Sequence, residues 1–173
     1  VEICARGAEA EPELDLGVVG RRPDREGLRG QGARAWEGSE FERRVEALGL
    51  TGRVHTPGQV GRDHLLGLYA LAQALVFPSL YEGFGLPVVE AMACGVPVVA
   101  STLTALPEVV GDAGLLADPR DPDAFAATLL GLLRDPALRE ALRARGLERA
   151  RTFTWSRTAE ETLRGYRAAL GGR

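Results

Sequence analysis

Short, wholly apolar runs alternating with stretches of helical periodicity predict an α/β fold: a Rossmann-like, doubly wound parallel sheet with helices on both faces. Three observations lead there. Ala74 to Pro78 (ALVFP) and Pro97 to Ala100 are continuous apolar runs of the kind found in strands buried on both sides. The segment between them is long enough for a crossover helix, and the chain has no internal repeat or low-complexity tract. At 173 residues it suits one domain, 1–173, able to bury about 70% of its unfolded surface.

The elements follow in order. Val1 to Pro12 is polar and ends in an Ala/Glu-rich run, read as the end of a helix. Leu14 to Gly20 (LDLGVVG) is a short strand that breaks at glycine. Arginines and glycines then alternate from Arg21 to Gly38 without apolar periodicity, which predicts a loop whose Arg21 and Arg22 are either solvated or within reach of a phosphate. Ser39 with Glu42 three residues on forms a capping box, and Phe41, Val45 and Leu48 give the helix its apolar face. Arg53 to Thr56 is a strand, followed by a turn at Thr56-Pro57-Gly58-Gln59. From Asp63, Leu65, Leu66, Leu68, Tyr69 and Leu71 make a helix too apolar for the surface, expected to pack on the sheet.

After the ALVFP strand, a helix from Pro87 to Cys94 stops at Gly95, and the Pro97 to Ala100 strand follows. Ser101 to Leu106 loops into a short helix carrying Pro107 and Glu108, and Leu115 to Ala117 is a fifth strand. Asp121-Pro122, Asp135-Pro136 and Thr154-Trp155 each place an N-cap residue before apolar spacing of three and four. The last helix, about 154–170, carries Trp155, Leu163 and Tyr166, which with Phe153 are read as a core stripe.

The stretch with chemistry is Tyr81 to Glu90, YEGFGLPVVE. Pro87 suits the first helical turn, because its fixed φ is helical and its missing N–H would have no intrahelical partner. Leu86 is then the expected cap. It carries no side-chain acceptor, so the first-turn amides stay available to an outside anion such as a phosphate. Gly83 and Gly85 let a ligand approach the backbone closely. The spacing is not that of the dinucleotide fingerprint, since position 88, where a third glycine would fall, is Val88. Glu82 at the loop's start and Glu90 about one turn inside the helix flank this anion site, and carboxylates accept from hydroxyls. A diphosphate between hydroxyl-rich rings, as in a nucleotide sugar, uses all of these groups. Each feature alone also has a plain reading: a solvated helix glutamate, a loop acid, turn glycines.

Composition narrows the field. The net charge of −3 gives no basic surface for nucleic acid or membrane, and the basic charge is all arginine, with no lysine or asparagine. No segment approaches the roughly 20 apolar residues that span a bilayer, and no secretory signal is seen. Two distant cysteines, Cys4 and Cys94, fit a reduced, cytoplasmic compartment. His55 and His64 have no Asp or Cys cluster beside them, so metal ligation is not expected.

Glu82 to Ser101, EGFGLPVVEAMACGVPVVAS, resembles the E-x7-E region of the retaining glycosyltransferases of the GT-B fold, the group 1 or GT4 family. The resemblance runs from about Leu14 to Leu170, through ALVFPSLYEGFGLP, LTALPEVVGDAGLL and FTWSRTAEETLRGYR. It implies that this is the donor-binding, C-terminal half of a GT-B enzyme. Glu82 is then the catalytic acid at the donor hexose, Gly83, Phe84, Gly85 and Leu86 hold the diphosphate, and Glu90 takes the ribose hydroxyls. The donor would be a UDP-, GDP- or ADP-sugar, with no cofactor and no metal. The acceptor domain and the family's first strand with its basic diphosphate clamp are not in the chain, so the isolated domain is expected to be inactive. A non-catalytic sugar-nucleotide or partner-binding half, and a GT-B relative such as an epimerase, are the alternatives. The chain departs from the family at Ala105, where members often have glycine.

Overall fold

A computed structural model describes residues 2–19 and 38–171. The elements alternate: α1 (Glu2–Ala10), β1 (Leu16–Val19), α2 (Gly38–Ala47), β2 (Val54–Gly58), α3 (Arg62–Leu71), β3 (Leu75–Phe77), α4 (Leu86–Ala93), β4 (Val98–Ser101), α5 (Leu106–Val110), β5 (Leu115–Ala117), α6 (Pro122–Arg134), α7 (Pro136–Arg151) and α8 (Trp155–Gly171). Every strand pairing is parallel. The strands form two ladders, β1-β2 and β3-β4-β5, rather than one continuous five-stranded ladder. The expectation for Arg21 and Arg22 lies outside the described residues.

The central strand β4 shows why both apolar runs are strands. Val98, Val99, Ala100 and Ser101 are all buried, and alternate side chains leave on opposite faces. Val98 and Ala100 join Val88, Ala91, Met92, Leu106, Val109 and Val110 under α4 and α5. Val99 joins Phe125, Ala126, Leu129 and Leu132 of α6 on the other side, together with Ile3 of α1. The sheet is therefore covered on both faces, the Rossmann-like arrangement the sequence predicts.

Polar contacts fix the flanking helices. Arg53 donates to the carbonyls of Ala8, Glu11 (2.9 Å) and Leu14 (2.7 Å), which ties the start of β2 to the end of α1 and the turn after it. Asp121 accepts from the amides of Asp123 and Ala124 and so caps α6; Asp135 accepts from Leu138 and caps α7. Thr154 accepts from the Arg157 amide (3.2 Å) at the start of α8.

Three expectations need correcting. β2 runs on through Pro57 to Gly58, where a turn was expected: among the described residues β2 has a ladder partner only in β1, so a residue without an N–H is tolerated at its other edge. α3 packs on the sheet only through Leu65 and Tyr69, while Leu71 is 84% exposed. The aromatic stripe of α8 is not core: Trp155 is 88% and Tyr166 64% exposed, and α8 has no buried residue. Only Phe153, just before α8, packs against the body.

Candidate functional site

The site forms at the C-terminal edge of β3 and β4, the side on which open parallel sheets place ligands. β3 ends at Phe77, and Ser79 to Gly85 loop across that edge into α4. The start of α4 differs from expectation by one residue. Its N-cap is Gly85 and not Leu86, and Leu86 and Pro87 are the first helical residues. Gly85 stands at φ 99°, ψ 52°, open to glycine and strained for other residues, and this lets the chain enter the helix a residue early. Its carbonyl accepts from the Val88 amide (3.0 Å).

The chemical consequence is the one expected, because glycine has no capping side chain either. No side chain caps α4. Among the described residues no protein acceptor meets the amides of Gly83, Phe84, Gly85 or Leu86. They lie at the positive end of a helix dipole, an arrangement suited to an anion. α3 and α5 also begin without a side-chain cap, but only α4 has acids on either side of its start.

Both acids are held by side chains the sequence did not single out. Ser79 Oγ lies 3.0 Å from Glu82 Oε1 and 3.2 Å from the Tyr81 carbonyl. The hydroxyl has one proton, and the charged acceptor makes the stronger bond. The Glu82 amide donates to Thr104 Oγ1 at 3.1 Å, which ties this loop to the one after β4. Glu90 sits in the second turn of α4, exposed, on the side opposite buried Val88 and Met92. The buried Tyr69 of α3 places its Oη 3.3 Å from Glu90 Oε2 and 3.4 Å from the Pro87 carbonyl. Burial, then the charge of Glu90 and the hydrogen bond to it, push the Tyr69 phenol up to about 12, so the proton stays on the phenol to be donated.

Phe84 anchors the middle of the loop. Its ring meets that of Phe153 edge-on at 5.4 Å, and the Arg149 guanidinium lies 5.1 Å from the Phe153 centroid. Arg149 also donates to the Val109 carbonyl (3.1 Å), joining α7 to the end of α5. The structure thus brings Glu82, Gly83, Phe84, Gly85, Leu86 and Glu90 together as one loop and helix start. Of the added residues, Tyr69 was read only as an apolar helix residue and Phe153 only as core. A polar group at the tip of a buried tyrosine was the available signal for Tyr69.

Among the described residues no group of three His, Cys, Asp or Glu side chains is placed to hold a metal ion. The one Asp-x-Asp triplet, Asp121-Pro122-Asp123, is a helix start: Asp121 caps α6, and Asp123 pairs with Arg6 at 3.0 Å. No described helix is long and apolar enough to cross a membrane.

Fold and site together define a Rossmann-like domain in which a helix start with free amides lies between two anchored acids. The chain belongs to the family Glycosyl transferases group 1, whose model matches residues 2–135. It is 48% identical over 136 residues to O-antigen chain mannosyltransferase B of Escherichia coli, covering 79% of this chain and 36% of that protein. Sucrose-phosphate synthase from Thermosynechococcus elongatus superposes with a TM-score of 0.80 at 32% identity, over 99% of this chain and 42% of the other. The C-terminal domain of a group 1 glycosyltransferase, LpcC, from Francisella tularensis gives 0.71 at 26% identity, over 87% of this chain and 77% of that domain. The fold is that of the GT-B glycosyltransferases. The chain spans about a third of the length of the curated relative.

Proposed function

We propose that this chain is the donor-binding domain of a hexosyltransferase, which moves a hexose from a nucleoside diphosphate sugar to an acceptor with retention at the anomeric carbon. The observation that carries the reading is the pair of anchored acids on either side of the free amides of Gly83 to Leu86. The amides and the α4 dipole take the diphosphate, whose charge grows as the sugar leaves. Glu82 faces the hexose, where positive charge develops, and Glu90 holds ribose hydroxyls. The mannosyltransferase among its relatives supports a hexose donor. The acceptor is held by a second domain, across a cleft in the cytoplasm.

The two acids fail differently on this reading. Ribose contacts change little between ground and transition state, so Glu90→Ala in the full-length protein raises donor KM. A hydrogen bond to a charged group corresponds to roughly 10- to 150-fold in affinity. Glu82→Gln lowers kcat while affinity for the free nucleoside diphosphate stays near the parent's. Steady-state kinetics with calorimetric titration read both. Loss of nucleotide affinity in Glu82→Gln, or its retention in Glu90→Ala, shows the assignment of the two ends of the donor to be wrong.

A further inference from the structure

We infer that Thr104 is a positioning residue for Glu82, and that its strained backbone serves to bring its hydroxyl to the Glu82 amide. The inference rests on the reading of Glu82 as the acid at the reacting sugar. Among the described residues Thr104 is the one non-glycine at positive φ, at 58°. For a β-branched side chain this is a conformational outlier, which persists only where the surroundings impose it. Glycine or asparagine would occupy the position with less strain. The next residue, Ala105, stands at an ordinary φ of −80°. The unusual backbone of this loop is at Thr104, one residue earlier.

The surroundings do impose it. The Thr102 amide donates to the Ala117 carbonyl (3.0 Å), and the Leu103 amide to the Oγ of fully buried Ser101 (3.0 Å). On the other side Leu106 is fully buried in the core. Between these fixed points the loop turns, and Thr104 is exposed. Exposure matters here, because water could serve the Glu82 amide equally well, so burial gives no reason for a threonine.

What the hydroxyl adds is geometry. With Thr104 on its amide and Ser79 on its carboxylate, Glu82 is held at both ends, by the loops after β4 and β3 respectively. It also takes the Glu82 amide out of the run of free donors, so that the anion-accepting amides begin at Gly83. A glutamate held at both ends keeps its carboxylate where charge develops without reorganising during the reaction.

The test compares Thr104→Ser, Thr104→Val and Thr104→Gly in the full-length protein. Serine keeps the acceptor, valine keeps the shape and the strained backbone but not the acceptor, and glycine removes both strain and acceptor. Amide hydrogen exchange at Glu82 reads the bond itself, independently of catalysis. Exchange should quicken about three- to tenfold in the valine and glycine variants and hold within about twofold in the serine variant. kcat should fall by a similar factor in valine and glycine only, with donor KM little changed. A purely structural role instead predicts that kcat follows Tm across the three. The inference is overturned if exchange at Glu82 is unchanged in Thr104→Val, if kcat survives the loss of the bond, or if serine fails to restore kcat. A parent protein that transfers no hexose from any nucleoside diphosphate sugar overturns the functional reading instead, and the exchange arm then decides alone whether Thr104 holds Glu82.

Discussion

Gly85 is where fold and site are most tightly joined, and Gly85→Ala tests both. A Cβ built on Gly85 falls 2.6 Å from Leu106 Cδ2, well inside van der Waals contact, and φ is 99° there. Leu106 is fully buried among Val88, Met92 and Val110, so it has little room to withdraw. Overpacking a core costs about 1–3 kcal/mol. A left-handed backbone costs an L-residue roughly 1–2 kcal/mol more, against about 0.4–1 kcal/mol gained by restricting the unfolded chain. The net loss of about 1–4.5 kcal/mol corresponds to a Tm lower by roughly 2–18 °C for a domain of this size. Thermal unfolding by circular dichroism measures it, and on the proposed function titration with a nucleoside diphosphate should show weaker binding, because the displaced residue lies among the free amides before α4. Leu106→Ala removes the obstructing methyl, so the double variant should be less destabilised than the sum of the singles by about 1 kcal/mol or more. A Tm within about 2 °C of the parent, or strict additivity of the pair, refutes the reasoning.

Three further outcomes follow from the anchors. Tyr69→Phe removes the donor to Glu90 and should raise donor KM about three- to tenfold with kcat unchanged, as checked by steady-state kinetics. Because folding raises the Tyr69 phenol to about 12, its contribution to stability is fully present below about pH 10, the ordinary tyrosine value, and is lost as pH rises through 12. The chain has no lysine, so few other groups titrate in that window; urea midpoints of parent and Tyr69→Phe should therefore converge between pH 9 and about 11.5. For the loop's aromatic anchor, a double-mutant cycle of Phe84→Ala and Phe153→Ala should give a coupling of about 0.5–1.5 kcal/mol. Zero coupling shows that the edge-on contact does not hold the loop.

The parts of this molecule legible in its sequence are those set by local rules. ALVFP and PVVA read as strands because side chains buried on both faces must all be apolar, and Asp121, Asp135 and Thr154 read as caps because their oxygens reach amides two or three residues on. The helix start at Gly85 was missed by one residue. A glycine beside a capless leucine offers two starts, and the left-handed φ that selects between them is enforced by packing against Leu106, which comes later in the chain. The stripe on α8 was misread for another reason: apolar spacing shows that a face is suited to burial without showing what covers it. Tyr69 and Thr104 were not assigned as anchors because their partners lie 21 and 22 residues away, a relation that no periodicity encodes.

The anchors also explain how a loop with two glycines can serve as a preorganised site. The loop and the helix it opens are held by four contacts from four places: the end of β3 through Ser79, the loop after β4 through Thr104, α3 through Tyr69 on Glu90, and the junction of α7 with α8 through Phe153. Each of these lies against the buried cluster that contains Val98, Ala100 and Leu106, either directly or at the end of an element that does. That cluster cannot shift by parts, since close-packed side chains on β4 fill the space between the sheet and α4. Ordering entropy for the loop is thus met during folding and not again when a donor binds, which favours tight binding of a charged ligand at an exposed sheet edge. Removing one anchor should then leave the fold intact while loosening one group, whereas substitution at β4 should weaken all four contacts together.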